Sequence, residues 1–552
     1  MTAVAADPSP ARPGRGWVLA CLYPLVAVLV ALFVAYPIVE LLARAMFADG
    51  RLSLGTLLRL LSDRYTLQVV GNTLVLGLTV AIAGTILATL YAYAMTRVEM
   101  PWKPVWHFLA LLPTISPPIL MALSLILLYG RRGLITNELL GMQTTALYGY
   151  RGLVAAQILS YFPFAYLLLL NLFRNLDVSL EEAAGTMGAN PGKVLTTISL
   201  PLLMPGLGSA FVLLFGYSFA DLGNPLLLGG DYPVLSSQIY LTIIGMYDIP
   251  KGAALAVILL VPAVLLFFVQ KRLAERTAYA SVGSRGSHHP QVRDRAVTVA
   301  ALIVCGLVSV LILMQYATVF AGATTKLFGI DNTFTLRHFV AALTTSRAAL
   351  LDTIGLAVMA CVASAVMGVL IAYFVARTPM PGRGALDFMA NLPLAIPGTV
   401  IGLAFALAFN HRPLLLTGTA LIIVVVLSVR SLPYATRSGV ASLQQLHRSL
   451  DEASTTMGAT SGQTLWRVLL PLVRPAVIAG MIFTFTRSVT TLSAVIFVVS
   501  PHWSLVTPAI LSQMDRGDVG EAAALSVILV VLVLLVIHGA PRLLRRDWRD
   551  RS

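Results

Sequence analysis

Two polar strings interrupt long apolar stretches, and their residue types suit mechanical docking better than bond-making. The first is Asp177-Val178-Ser179-Leu180-Glu181-Glu182-Ala183-Ala184, followed by the breaker cluster Gly188-Ala189-Asn190-Pro191-Gly192. Asp177 or Ser179 can cap a helix, and acidic Glu181 and Glu182 suit the positive end of its dipole. That helix stops near Gly188. A second short helix is expected from about Lys193 to Leu200, with Pro201 and Pro205 breaking the chain before the next apolar run. The second string repeats the plan: Ser449, Asp451, Glu452 and Ala453, then Gly458, Ser461 and Gly462, then Leu465–Leu470 before Pro471. Such a helix–glycine–helix elbow, with small residues at Ala183, Ala184, Gly188, Ala453 and Gly458, admits close approach by another protein, which could grip it and move the attached helices.

The other chemistry-bearing residues lie inside apolar runs, where charge is costly and usually faces a partner or a cavity. One run carries Tyr217, Asp221 and Asn224, and a later one carries Arg487, Ser488 and Thr491. These six are the candidate pathway residues, with Asp221 and Arg487 expected on opposite sides of a central route, close enough to pair. Arg430 and Arg437 have two readings, contact with phospholipid or with an elbow. Asp248 and Asp518 cap helices or meet a docking protein. Cys21, Cys305 and Cys361 are apolar fillers, and no His, Cys or carboxylate cluster has metal-ligand spacing.

The elements that must position these groups are membrane helices. The 552 residues are 58% hydrophobic and only 11% charged, against roughly a quarter charged in soluble domains. Runs of about 20 apolar residues can span hydrocarbon, and twelve are read: near Trp17–Leu42, Leu67–Met95, Val105–Tyr129, Gly152–Phe173, Leu207–Leu228, Ala253–Val269, Ala296–Phe320, Leu350–Ala376, Leu386–Phe409, Leu414–Ser438, Ala476–Val499 and Ala522–Ile537. The first is too long for a cleaved signal core and has Arg12 and Arg15 before it. The net charge of +14 concentrates in Lys271, Arg272, Arg276, Arg285, Arg293 and Arg295 and in Arg542, Arg545, Arg546, Arg549 and Arg551. That is the bias of cytoplasmic segments, so both termini are expected in the cytoplasm. The excess suits anionic lipid headgroups and argues against nucleic acid as a partner.

The chain also repeats itself. Leu112-Pro113 and Pro117 recur as Leu392-Pro393 and Pro397, and Arg97 recurs as Arg377, at an offset of 280 residues. Further on the offset is 270: Glu182-Ala183 with Glu452-Ala453, Met187-Gly188 with Met457-Gly458, Leu200-Pro201 with Leu470-Pro471. The change falls in the loop at 130–151. The fold class is therefore all-α and polytopic, about twelve transmembrane helices in two parallel six-helix repeats. The division is an N-terminal helix and external segment (1–66), a first module (67–270), a basic linker (271–295), a seventh helix and external segment (296–349), a second module (350–540) and a basic tail (541–552).

Glu182-Ala183-Ala184, Gly188 and Ile198-Ser199-Leu200-Pro201 resemble the signature loop of permease subunits in type I ABC importers. The second copy departs only at Ser454 and Val468. The strings Ala220–Gly230 and Thr490–Phe497 resemble fused permeases of the ferric-iron branch. The resemblance covers both halves. It implies a multi-pass protein of the bacterial inner membrane whose elbows seat on two ABC ATPase subunits. It also implies a solute delivered by an extracytoplasmic solute-binding protein: ferric iron first, with phosphonate, thiamine, sugar or polyamine as alternatives. It implies no cofactor on this chain, and ATP and Mg on the partner subunits. Gly188-Ala189-Asn190-Pro191-Gly192-Lys193-Val194 is one residue short of a phosphate-cradling loop and lacks its hydroxyl, so the chain is not read as an enzyme. An ion-coupled secondary transporter would need mid-membrane carboxylates, and only Asp221 qualifies.

Overall fold

The computed structural model describes residues 17–48, 51–52, 54–142, 144–176, 178–280 and 294–549. Arg12, Arg15, Asp177, Arg551 and the linker residues 281–293 (among them Gly283, Ser284, Arg285, Gly286, Ser287, Pro290 and Arg293) lie outside them. Eleven helices among the described residues are long and apolar enough to cross a membrane, and one sharply bent pair makes a twelfth crossing if its two helices count as one span. Their outer faces carry side chains such as Ile303, Leu307 and Val310, each at least 60% exposed, as lipid-facing surfaces require.

The third and ninth runs do not form the single spans expected. Lys103–Leu111 gives way to a tight turn at Leu112–Thr114 before Pro118–Tyr129. Arg383–Leu394 meets Gly398–Ala408 at 111°. The cause is the repeated Leu-Pro-x-x-x-Pro string. Each proline lacks an N–H and restrains the residue before it, so two of them four apart stop a helix. Pro117 and Pro397 are extended, with ψ of 142° and 144°.

The fifth and eleventh runs fail in the opposite sense. Pro201, Pro205 and Pro471 were expected to break the chain, yet the helix continues through them, as Gly192–Phe219 and Ser461–Thr490. Wider π-turns at Leu195–Ser199 and Thr464–Leu469 sit immediately before Leu-Pro in both copies. A π-turn alters the bonding register ahead of the proline, where its missing N–H would otherwise leave a gap. These spans therefore end earlier than expected, at Phe219 and Thr490, and the chain beyond them unwinds.

The linker and tail also begin later. The sixth span belongs to a helix running Ile249–Ala280, and the twelfth to one running Val519–Arg549. Residues 271–280 and 541–549 are free of glycine, and Pro541 is the one proline among them, so little stops the helices at the last apolar residue.

Each module is built on a trio: the second, fourth and fifth spans in one, the eighth, tenth and eleventh in the other. The eighth and tenth approach closely because both contribute glycine. A methyl at Gly368 would lie 2.5 Å from Ala435 Cβ, and one at Gly439 would lie 2.7 Å from Ala372 Cβ. Small residues at such crossings maximise dispersion contact where lipid removes the hydrophobic driving force.

The first span of each half crosses over to the other half. In the first span, Tyr23 donates to Pro381 O at 2.6 Å, and Phe33 and Tyr36 pack on Phe409. In the seventh (Arg295–Thr324), Tyr316 donates to Leu112 O at 2.8 Å and bonds Ser116 Oγ at 2.7 Å. Each is followed by a two-stranded hairpin, Phe47–Ala48 with Arg51–Leu52 and Thr325–Leu327 with Asp331–Phe334. A short helix comes next, Gly55–Ser62 or Arg337–Thr344. Among the described residues, the segments 17–62 and 295–344 thus share one order of elements: span, strand pair and short helix.

Candidate functional site

Both elbows form on one face of the bundle, and both are pinned by the arginine that ends a neighbouring span. Arg97 Nη2 donates to Glu181 Oε1 at 3.0 Å while its Nε lies 3.0 Å from Oε2, and Ser199 Oγ donates to the same carboxylate at 2.8 Å. The two charged side chains are only 4% and 8% exposed. In the second copy Arg377 Nη1 reaches Asp451 Oδ2 at 2.7 Å, and Nη2 donates to the carbonyls of Leu443 and Leu446. Asp451 is 31% exposed. The paired charges fasten each short helix (Val178–Thr186 and Ser449–Thr456) to the membrane helices.

Glycine sets the turn of each elbow. Gly188 and Gly458 have φ of +85° and +81°, the left-handed region that L side chains resist. The Ala189 N–H donates to Ala184 O at 3.0 Å, and Ala459 N–H to Ser454 O at 3.0 Å, the crossed closure of a left-handed helix end. The next helix starts on a cap: Asn190 Oδ1 accepts from Lys193 N at 2.8 Å, and Thr460 with Gln463 forms a capping box. Glu182, Ala183, Gly188, Glu452, Ala453 and Gly458 are exposed. Met187 and Met457 are each 88% exposed at the tips.

Between the modules lies a cavity of about 630 Å³. The fifth span gives it Tyr217, the eleventh Arg487, Ser488 and Thr491, and the tenth Arg430 and Tyr434. The break of the ninth span adds Pro393–Pro397. It reaches Gln270 and Lys271, at the end of the sixth span that lies on the elbow face. An adjoining cavity of only about 70 Å³ shares Tyr217, Arg430, Arg487 and Thr491 and adds Asp221 and the break of the third span. There the breaks of both modules meet: a methyl at Gly223 would lie 3.5 Å from both Ile119 Cβ and Leu492 Cδ2.

Asp221 and Arg487 are not paired. Asp221 Oδ2 accepts from Gln157 Nε2 at 2.9 Å and Asn224 Nδ2 at 2.7 Å, and Oδ1 accepts from Gly223 N at 3.2 Å. Ser218 Oγ donates to Gln157 Oε1, and Ser236 Oγ donates to the Asp221 carbonyl. The carboxylate thus satisfies the groups freed where the helix unwinds. Arg487 instead lies 5.8 Å from the ring centres of both Phe164 and Tyr217, a cation–π placement across the module boundary. Tyr217 stacks on Tyr161 at 5.3 Å.

A family model described as the binding-protein-dependent transport system inner membrane component matches residues 80–279 and again 364–550. The chain belongs to that family. The ferric transport system permease protein FbpB of Actinobacillus pleuropneumoniae is 32% identical over 90% of this chain and 74% of its own length. A putative ferric transport system permease protein FbpB 1 of Haemophilus influenzae is 32% identical over 88% and 79%. The sulfate transport system permease protein CysT of Escherichia coli is 35% identical over 26% of this chain and 55% of its own length. This is an ABC importer permease, a multi-pass membrane protein with its permease domain present twice.

Of the permease's six expected pathway residues, Tyr217, Arg487, Ser488 and Thr491 line the large cavity and Asp221 the small one. Asn224 lines neither and serves as a hydrogen-bond partner of Asp221. Pro201 and Pro471 lie inside the continuous fifth and eleventh spans, just after their π-turns, and not in the elbow turns. Arg430 faces the cavity, and Arg437 bonds Asn391 Oδ1 at 2.9 Å and lies 3.8 Å from Asp387 Oδ2. Both thus address the ninth span, which neither earlier reading foresaw. Asp248 and Asp518 cap helices, accepting from Lys251 N and Glu521 N. Sequence reasoning missed Gln157 and the arginine tethers. Arg97 with Arg377, matched at one offset, and Glu181 with Asp451, matched at the other, held the signal for the tethers.

Proposed function

We propose that the chain forms the whole translocation pathway of an ATP-driven importer, open toward its elbow face. The observation that carries this is the shared direction of two devices. The elbows, each tethered by arginine and turned at a left-handed glycine, stand on the face toward which the large cavity extends. Each elbow seats on one of two ABC ATPase subunits, which bind ATP and Mg. The chain itself binds no cofactor and hydrolyses nothing. The exposed methionines suit an apolar cleft, because Met adapts its shape to a partner. When the ATPase pair closes, the elbows are pushed together, and the fifth and eleventh spans, continuous with them, carry the motion to the cavity.

The elbow face is cytoplasmic in this reading, with both termini in the cytoplasm of a bacterium and the hairpin face receiving the extracytoplasmic solute-binding protein. Ferric iron is the favoured cargo, supported by two relatives named for ferric transport that align over most of the chain. The test is uptake by the reconstituted permease with its ATPase and binding protein. ATP-dependent accumulation of ferric iron, lost on removing the ATPase, is expected. ATP-independent uptake that follows a proton gradient would sink the reading.

A further inference from the structure

The large cavity is lined by cations without anions to balance them. Arg430 and Arg487 both face it, and among the described residues neither forms an ion pair. Lys271 and Arg437 stand at its mouth. The nearby acids are committed elsewhere: Asp387 lies against Arg437, and Asp221 is held by Gln157, Asn224 and Gly223. Ser488, only 4% exposed, lines the same cavity with a hydroxyl that has no hydrogen-bond partner. The broken third span adds the N-terminus of Pro118–Tyr129 at the small adjoining cavity, and the broken ninth adds that of Gly398–Ala408 beside the large one, each carrying partial positive charge. Gly398 lets Arg430 lie over the second of these, since a methyl there would come within 3.2 Å of Arg430 Cζ. Arg430 Nη1 also lies 3.5 Å from Ile396 O.

Guanidinium groups left without counter-ions within membrane-spanning helices are costly, and their planar donor forks match the oxygens of an oxyanion. A bare trivalent cation would meet repulsion from both. We propose that Arg430 and Arg487, with Ser488 and Thr491, form an oxyanion station at the centre of the pathway, so that the cargo is recognised there as an anion. The oxyanion is either the cargo itself or the ligand that accompanies ferric ion. This rests on the importer reading above and adds the charge of what passes.

The test uses the full chain in nanodiscs with its ATPase subunits, without ATP. Equilibrium dialysis measures retention of labelled phosphate alone, sulfate alone, ferric ion with phosphate, and ferric ion in a neutral trihydroxamate complex. Saturable retention of an anionic probe is expected, with none of the neutral complex. Binding of phosphate or sulfate alone identifies the oxyanion as cargo; retention of phosphate only together with iron identifies it as the companion ligand. R430Q and R487Q each weaken binding at least tenfold, and the double variant abolishes it. R430K and R487K keep part of it, and thermal unfolding of these conservative variants, matching the wild type, separates lost binding from lost fold. The station is overturned if the neutral complex binds as tightly as the anions, if the wild type retains no anion at millimolar concentration, or if the glutamine variants bind like the wild type. Uptake separates this from the importer reading. A wild-type complex that accumulates no solute with ATP and binding protein refutes the importer, whereas ATP-driven uptake untouched in R430Q/R487Q refutes only the station.

Discussion

The fifth and eleventh spans end on the same backbone device and differ in what surrounds it. After Phe219 the chain unwinds and the Asp221 carbonyl accepts from Ser236; after Thr490 it unwinds and the Thr491 carbonyl accepts from Thr507 at 2.6 Å. One residue before each of those donors, Leu235 N and Val506 N donate to a threonine of the second or eighth span, Thr73 or Thr353, at 2.9 Å. The side chains then diverge. The first break is knotted by Asp221, Gln157, Asn224 and Ser218. In the second, Thr491 stands where Asp221 does, Leu427 where Gln157 does and Ala494 where Asn224 does. Duplication has kept the main-chain solution in both modules and freed one set of side chains. That freed set borders the cavity and carries Arg487.

The elbows show the same kind of asymmetry, and the largest expected effect tests it. Arg97→Ala leaves Glu181 as an unpaired buried charge, at a cost of about 3–5 kcal/mol. Thermal unfolding of the purified permease and its capture by ATPase should both collapse. Arg377→Ala should be milder, because Asp451 can turn to water. Equal losses in the two variants would remove the distinction drawn between the elbows.

Asp221→Ala comes next. It strands the donors of Gln157 and Asn224, at about 2–3 kcal/mol for the broken network, and should lower the unfolding temperature. Thr491→Ala should change stability by less than about 0.5 kcal/mol. Asp221→Ala with Arg487→Ala sharpens this further: additive stability losses are expected, since the two groups touch different partners. A non-additive double variant would restore the pairing that the geometry denies.

The effects at the two elbow glycines should be symmetric. Gly188→Ala and Gly458→Ala each force an L residue into the left-handed region, costing about 1–2 kcal/mol locally. Both should weaken ATPase stimulation to a similar, partial extent. A large loss from one and none from the other would mean that only one elbow transmits force.

Much of this was legible in the residues. Composition gave the membrane, and the double offset gave two modules and two elbows. Paired residues at Gly188 and Gly458 marked the turns. Errors clustered at proline. Pro113 with Pro117 breaks a helix, while Pro201 and Pro471, no different in chemistry, are absorbed by π-turns. The outcome depends on whether the preceding turn can widen, which tertiary packing decides. The Asp221 and Gln157 contact was hidden for a different reason, since it joins two spans whose faces sequence periodicity does not fix when both are apolar throughout. Nor does a string of residues disclose that the first span rests on the second half, because nothing in its own composition names a partner.

That crossing has a consequence for how the protein is made. Tyr36 is hydrogen-bonded to the carbonyl of Ala408 (3.4 Å), and 372 positions separate them along the chain. At a synthesis rate of roughly 5–20 residues per second, the first helix waits about 20–75 s in the bilayer before its counterpart emerges. During that interval its aromatic face, with Phe33 and Tyr36, is bare to lipid or to whatever chaperones insertion. The bundle is therefore closed late, the span that is made before both modules being among the last to find its place.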